Sequence, residues 1–523
     1  MRLLLTMALL AQVWVGSAQV YWNKQIDWQH NFEYLSSIVA VDAFQSIIVA
    51  GGMLQLNPTD ENIYLSRISE NGETIWAKSS RPFPDKLGKG GQVYQIDQHY
   101  GLVLGNAYLP SANGTTDMQM VLVKFDMDSG DVIWTKEYGK PDWMEYPWRM
   151  IKNSDGSLVM IGQTIQMNNN PPQKILFIKI DSLGNQLVRK EFVVNITRNH
   201  SAWDIVGSPD GGFFILGSDN YWGNCNGCST ETGMAEMILL KTDFDGNLLW
   251  SKVYSPWEFK QSGLAGYDIK LVSDTTLMVV GHKQYTLLNS SFSYFSRYIL
   301  MKFDLNGNVL DSVSFGGYAG AYPTRAIKLA DKNYLITGQE KDSTFNLVGP
   351  TGVIIKIASS LNVIWKKEYR VSPPESQLHD KFDDAVEMPD KGFIICGRAF
   401  GPLEDSTNQN GWVIRVDSFG CLEPGCQLNS AIEDPPTPKQ DIGITLSPNP
   451  TSGQARLTLA HEGAVLLGVR VLDVQGRVVS DMQFLLGAGW RECVVDLGGE
   501  PAGVYLVQVR TSEGWGVRKI VKQ

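Results

Sequence analysis

One phrase constrains this chain more than any other feature, because it is written repeatedly. "LLKTDFDGNLLWSKVY" (239–254) joins two apolar runs through the polar turn Asp243-Phe244-Asp245-Gly246-Asn247, the pattern of a β-hairpin. Near copies stand at 122–138, 177–192 and 300–315, and the turn glycine recurs at Gly72, Gly130, Gly184, Gly246, Gly307 and Gly420. "IIKIASSLNVIWKKEY" keeps the pattern without the glycine. From Gly72 to Gly420 there are 348 residues in six intervals, a mean of 58. A fixed period of this size predicts a repeat architecture. A second hairpin phrase precedes each copy, as in "DIVGSPDGGFFILG" (204–217), "RMIKNSDGSLVMIG" (149–162) and "DAVEMPDKGFIICG" (384–397).

One unit is therefore four antiparallel strands. Alone, such a sheet leaves its edges and an apolar face open; radial repetition covers both, whereas a linear solenoid needs atypical capping units. The last unit stops after its third strand, "GWVIRVDSFG" (411–420), and "QVYWNKQID" (19–27) resembles the fourth-strand phrase "DVIWTKEYG" (131–139). Trp22 then falls where Trp76, Trp134, Trp250 and Trp365 fall in their own units. The expected fold is all-β: a seven-bladed β-propeller of four-stranded antiparallel blades over 19–428, closed by the N-terminal strand.

The repeated Trp reads as a wedge packed between blades. One copy, "DMDSGDVIW" (126–134), also fits the tryptophan-docking pattern of pyrroloquinoline-quinone-type propellers, but the others lose a residue in the turn. The Asp-rich turns resemble calcium loops only loosely and lack the downstream Glu of an EF-hand; Asp, Asn and Gly are what hairpin turns need for backbone reasons. No cofactor is expected, with calcium at these turns the minor alternative.

Turns within hairpins are short, while segments between hairpins and between units are long, such as 218–236, 282–297, 139–149 and 255–266. In an up-and-down blade both long classes emerge at one face. A site is expected on that face, where Trp143, Tyr146, Trp148, Tyr221, Trp222 and Trp257 are the binding candidates, with Tyr285, Tyr294 and Tyr322 beside them. Such rings suit an extracellular glycan or protein ligand. No catalytic set stands out: six histidines, no HExxH and no GxSxG. Non-catalytic binding, adhesion or scaffolding is the leading reading. A polysaccharide hydrolase or lyase with two loop carboxylates is the alternative.

Residues 1–18, with Arg2, an apolar run and small residues at Gly16 and Ala18, read as a secretory signal peptide. No later run is long and apolar enough for a transmembrane helix. The net charge of -10 without a basic block argues against a nucleic-acid partner. In an exported chain the close pairs Cys225/Cys228 and Cys421/Cys426 read as disulfides; Cys396 reads as a core residue, and Cys493 has no evident partner.

Residues 429–440 are a Pro-rich linker, after which the periodicity changes to short strands. "LSPNPTSG" (446–453), "VRVLDVQGRVV" (469–479), "PAGVYLVQV" (501–509) and the terminal "VRKIVKQ" (517–523) resemble the type A C-terminal sorting domain of the type IX secretion system of Bacteroidota. The resemblance covers about 441–523 and rests on Pro448, Asn449, Pro450, Gly453, Gly476, Gly503, Tyr505, Lys519 and Lys522. It implies an Ig-like β-sandwich, recognition by the type IX secretion machinery, and release from the cell or retention at the outer-membrane surface. "GCLEPGCQL" (420–428) is also similar to the close of other propeller cargos of that system.

Overall fold

The computed structural model describes residues 21–26, 32–54, 61–80, 87–110, 116–166, 172–195, 198–220, 235–255, 262–286, 294–316, 320–341, 349–372, 378–400, 409–423, 426, 443–460, 466–473, 478–483, 491–511 and 514–523. The expected signal peptide, the linker, Cys225, Cys228, Tyr221, Trp222, Trp257 and Gly476 lie outside the described residues. The chain forms two compact units, 1–424 and 425–523. No helix among the described residues is long and apolar enough to cross a membrane.

The repeated phrases of the first unit are hairpins. Asn199–Gly207, Phe213–Asn220, Glu236–Thr242 and Leu248–Tyr254 form one four-stranded antiparallel sheet in chain order. The same meander recurs over 32–80, 87–138, 143–192, 262–315 and 320–369, two of these sheets being joined by a single parallel pair, Met144 with Met118. The final sheet departs from chain order: Lys381–Glu387, Phe393–Phe400 and Gln409–Val416 are completed by Trp22–Ile26. Trp22 lies opposite Arg415 and Ile26 opposite Gly411, and Trp412 Nε1 donates to Asn23 Oδ1 at 2.7 Å.

Third strands such as Lys174–Ile180 are buried along almost their whole length, because each sheet is covered on both faces. Apolar clusters fill the space between consecutive sheets. Val123, Phe125 and Ile48 join the 32–80 and 87–138 sheets, and Ile215, Phe177 and Ile238 join the 143–192 and 199–254 sheets. Ile26, Leu35, Val49, Ile394 and Val413 join the last sheet back to the first. Each fully buried side chain contributes about 1.5–3 kcal/mol. Sheets packed face to face in succession, the last returning to the first, make a β-propeller.

The repeated Trp is a wedge. The turn glycines take left-handed backbone, φ +85° at Gly72 and +74° at Gly307, and the outer strand of the preceding sheet packs on them, except at Gly246, which meets Phe177 of a third strand. Trp22 lies where a Cβ on Gly72 would be, 2.8 Å away, and Trp250 stands likewise beside Gly307. Trp76 Nε1 donates to Met127 O at 3.1 Å, and Tyr254 OH to Gly307 O at 2.6 Å. In the copy lacking glycine, Leu361 adopts φ +71° in its place. The turn aspartates act on their own loops: Asp243 accepts from the amides of Asp245 and Asn247 and from the Asn247 side chain at 2.8–3.0 Å.

The placement of Trp143, Tyr146 and Trp148 in a loop is corrected. They lie on the strand Trp143–Lys152, paired from Trp143 onward with Gln166, so the connecting segment is shorter than expected. Trp143 sits under Lys140 Nζ and Lys174 Nζ, 4.8 and 5.5 Å from its ring centroid. Beside it Glu145 is fully buried, and Arg189 Nη2 approaches its Oε1 at 2.8 Å. Cys421 and Cys426 are disulfide-bonded. Cys396 is a buried free thiol, and Cys493 is free and half-buried.

In the second unit, Ile444–Ser447, Gln454–Leu459 and Glu492–Asp496 form one sheet, and Val478–Gln483, Leu466–Asp473, Gly503–Thr511 and Gly514–Lys522 the other. Leu457 and Val495 from the first share a core with Val471, Val507 and Ile520 from the second.

Two outcomes are expected. Gly72→Ala and Gly156→Ala both force alanine into left-handed backbone, a cost of about 1–2 kcal/mol. Gly156 has open space around it, whereas Gly72 meets Trp22. Denaturant titration should show the Gly72 variant less stable than the Gly156 variant. Burial raises the Glu145 carboxyl to about 7, against the opposing pull of Arg189. An acid weaker in the folded than the unfolded chain binds more protons when folded, so its contribution is full below pH 4.5 and declines as pH rises to about 7. The stability of the wild type relative to Glu145→Gln should fall across that window and level off above it, read from urea midpoints at each pH.

Candidate functional site

Each inner strand of the propeller skips one residue at the same level of its ladder, and Ser262–Ser273 skips a second, Val272, towards its short turn. The residues skipped at the shared level are Ser36, Gly91, Trp148, Trp203, Tyr267, Thr324 and Asp383. A bulged residue is freed from pairing and its side chain is re-aimed. All of these line one cavity of about 510 Å³, together with Tyr34, Asn106, Tyr146, Tyr322, Gln339, Lys381 and Arg398. A second cavity of about 400 Å³ is lined by Lys152, Asn153, Ser154 and Ser208, where the strands enter their short turns. The larger cavity is therefore at the end where the long connections emerge.

The residues that follow the skips form a belt between the two recesses. Gln92 Oε1 accepts from Met150 N at 2.6 Å, Asp204 Oδ2 from Ile269 N at 3.0 Å, and Asp384 Oδ2 from Ile38 N at 3.3 Å. Each side chain thus clamps the backbone of the next inner strand. Charges are matched: Arg149 Nε lies 3.6 Å from Asp204, Arg325 Nε 2.9 Å from Asp384, and Lys270 bridges Asp204 and Asp268. Burial lifts the Asp268 carboxyl to about 6 against the pull of Lys270. Burial also opposes ionisation of Asp204, but Lys270, Arg149 and Arg325 outweigh it and hold that carboxyl below its usual range.

Above the belt runs an aromatic band. Ring centroids are 4.7 Å apart for Trp148 and Trp203 and 5.2 Å for Trp203 and Tyr267. They are 5.4 Å apart for Tyr267 and His282 and 4.9 Å for His282 and Tyr322. Burial lowers His282 to about 4, so it is a neutral ring at pH 7. Trp203 Nε1 donates to Ser218 Oγ at 2.9 Å, whereas the buried Trp148 Nε1 has no hydrogen-bond partner. The carboxylate in the described lining is Asp383, held by Lys381 Nζ at 2.7 Å. Flat apolar faces with a few polar atoms suit stacking on a ring ligand. No group of three or more His, Cys, Asp or Glu able to hold a metal occurs among the described residues.

Of the candidates named from sequence, Tyr146 and Trp148 line this cavity, as does Tyr322, while Trp143 is not among its lining residues. Trp203, Tyr267 and Arg398 were missed. A signal for the first two existed: an aromatic residue directly precedes the charged first letter of the repeated phrase in Trp148-Arg149, Trp203-Asp204 and Tyr267-Asp268.

The sorting-motif residues also converge, although 70 residues separate them. Asn449 Nδ2 donates to Lys519 O at 2.7 Å, and Val521 N donates to Asn449 Oδ1 at 2.9 Å. Lys522 Nζ reaches the carbonyls of Leu497, Gly498 and Glu500, and Tyr505 OH donates to Pro501 O at 2.7 Å. The Pro448–Pro450 segment is thereby fastened to the terminal strand.

Residues 445–523 match the family described as the secretion system C-terminal sorting domain. No curated protein matches the chain. Among solved structures, it is similar to the α-L-arabinanase of Penicillium chrysogenum complexed with arabinobiose, at 10% identity over 62% of this chain and 92% of that one, with a TM-score of 0.37. For the α-L-arabinofuranosidase Arb93A of Fusarium graminearum the values are 8%, 76%, 98% and 0.39. For PorZ, a surface component of the type IX secretion system of Porphyromonas gingivalis, they are 12%, 94%, 81% and 0.24. At such scores none of these likenesses says what the first unit does. The C-terminal match does identify the route: residues 445–523 are a secretion system C-terminal sorting domain, and the chain is type IX secretion cargo, exported to the cell surface or the extracellular space.

Proposed function

We propose that the mature chain is a seven-bladed propeller over 19–428, closed by its N-terminal strand, that binds an extracellular glycan without catalysis in its axial cavity. An Ig-like sorting domain over 441–523 delivers it. The blade count is supported by the seven inner strands that each give one skipped residue to the cavity and by the cluster that returns from the last sheet to the first. The observation that carries the binding role is the aromatic band from Trp148 to Tyr322 along a cavity at the loop-bearing end. Stacking on such faces is how proteins hold sugar rings. Among the described residues the lining carboxylate is Asp383, neutralised by Lys381, which offers binding chemistry rather than an acid and base pair.

A glycan array and a hydrolysis screen on the chain from residue 19 test this. A bound saccharide should be recovered uncleaved, and Trp203→Ala should weaken it about tenfold or more. Cleavage, or wild-type affinity in Trp203→Ala and Trp148→Ala variants that melt normally, would rule the reading out.

For the sorting domain, the Asn449 bridges make the Pro448–Pro450 segment and the final strand one recognition surface. Asn449→Ala removes two hydrogen bonds, about 1–2 kcal/mol, and should leave unexported protein behind in cell fractionation while the propeller retains its fold by circular dichroism.

A further inference from the structure

We infer that the saccharide held in the axial cavity is acidic, with its carboxylate seated on Arg398. This rests on the glycan reading above and adds the charge of the ligand. Arg398 stands on Phe393–Phe400, one strand outward from Lys381–Glu387, and lines the same cavity as Trp148, Trp203 and Tyr267. It is half-buried, and its Nε is buried without a hydrogen-bond partner. Among the described residues no carboxylate pairs with it. Arg149, Arg325, Arg189 and Arg415 are answered by Asp204, Asp384, Glu145 and Asp390; Arg297 Nε also lacks a partner, but Arg297 does not line this cavity. The lining carboxylate that could serve, Asp383, is taken by Lys381. The wall therefore presents an uncompensated cation inside a chain whose net charge is -10.

A buried guanidinium edge without a partner is unfavourable, and its planar fork matches a carboxylate in two parallel hydrogen bonds. Trp148 and Gln339 of the same lining also carry buried polar atoms without a partner, Nε1 and Oε1. A guanidinium beside a stacking surface matches a uronic acid, whose ring carries one carboxylate. An acidic peptide would satisfy Arg398 but has no ring to set against the aromatic band.

Titration calorimetry on the chain from residue 19 tests this. The probes are oligomers of galacturonate, mannuronate and glucuronate, each with its methyl-esterified counterpart. At least one acid form should bind, its ester should bind about tenfold or more weaker, and Arg398→Ala should weaken the acid by a similar factor. The same variant should leave the ester within about twofold. Arg398→Lys, which keeps the charge and loses the fork, should recover only part of the affinity; melting curves for both variants confirm folding. Equal binding of acid and ester, or acid binding unmoved in Arg398→Ala, overturns the inference. If Trp203→Ala still abolishes that binding, the glycan reading survives alone. Binding of no saccharide overturns both, and so does capture of poly-glutamate instead of uronates through Arg398.

Discussion

The antiparallel pairing of Trp22–Ile26 with Gln409–Val416 is the constraint on which the first unit depends. Every sheet there is apolar on both faces and needs a neighbour on each. Without the borrowed strand, the edge of Gln409–Val416 is bare and the cluster around Leu35, Val413 and Ile26 is open. The pairing joins residues as far apart as Asn23 and Trp412, 389 positions in sequence. The entropy of closing such a loop grows only slowly with its length. A ladder, a buried cluster and the contacts of Trp22 and Lys24 with the Glu70–Thr74 turn offset it.

Two sets of contacts then fix how each sheet meets the next. At the rim, an aromatic ring from an outer strand seats on the left-handed turn of the following sheet at Gly72, Gly130, Gly184, Gly307 and Gly420. Near the axis, a polar side chain from one inner strand accepts from the backbone of the next. The inner set places Asp204, Asp268 and Asp384 among Arg149, Lys270 and Arg325. Desolvation makes buried charges a weak source of stability, yet breaking one pair is expensive. Their effect here is on registry: one strand cannot slide without stranding its neighbour's charge.

The hairpins were legible because turn chemistry is local: Asp-x-x-Gly-Asn needs no tertiary contact to be recognised. Closure was legible because Trp22 completes a column of tryptophans, and the sorting domain because its motifs lie in order. The cavity was not. A one-residue skip leaves the apolar alternation on either side intact, so no periodicity reports it. Pro147 and Pro323 lie directly before two of the skips. Proline within a run argues against strand, and "PDWMEYPWR" therefore read as a loop. The structure reconciles this by placing each proline at a bulge. Arg398 looked ordinary, since an unanswered charge is visible only when its surroundings are assembled.

The bulges have a consequence for how such a ring can diversify. A skipped residue takes no part in the ladder, so most of these side chains can change without shifting a strand; Gly91 is the exception, since a Cβ there would lie 2.9 Å from Leu104 O. Ser36 and Thr324 leave room where Trp148, Trp203 and Tyr267 fill it. The recess can thus be retiled one piece at a time on an unaltered frame, and new selectivity becomes accessible by single exchanges that stability selection would hardly register.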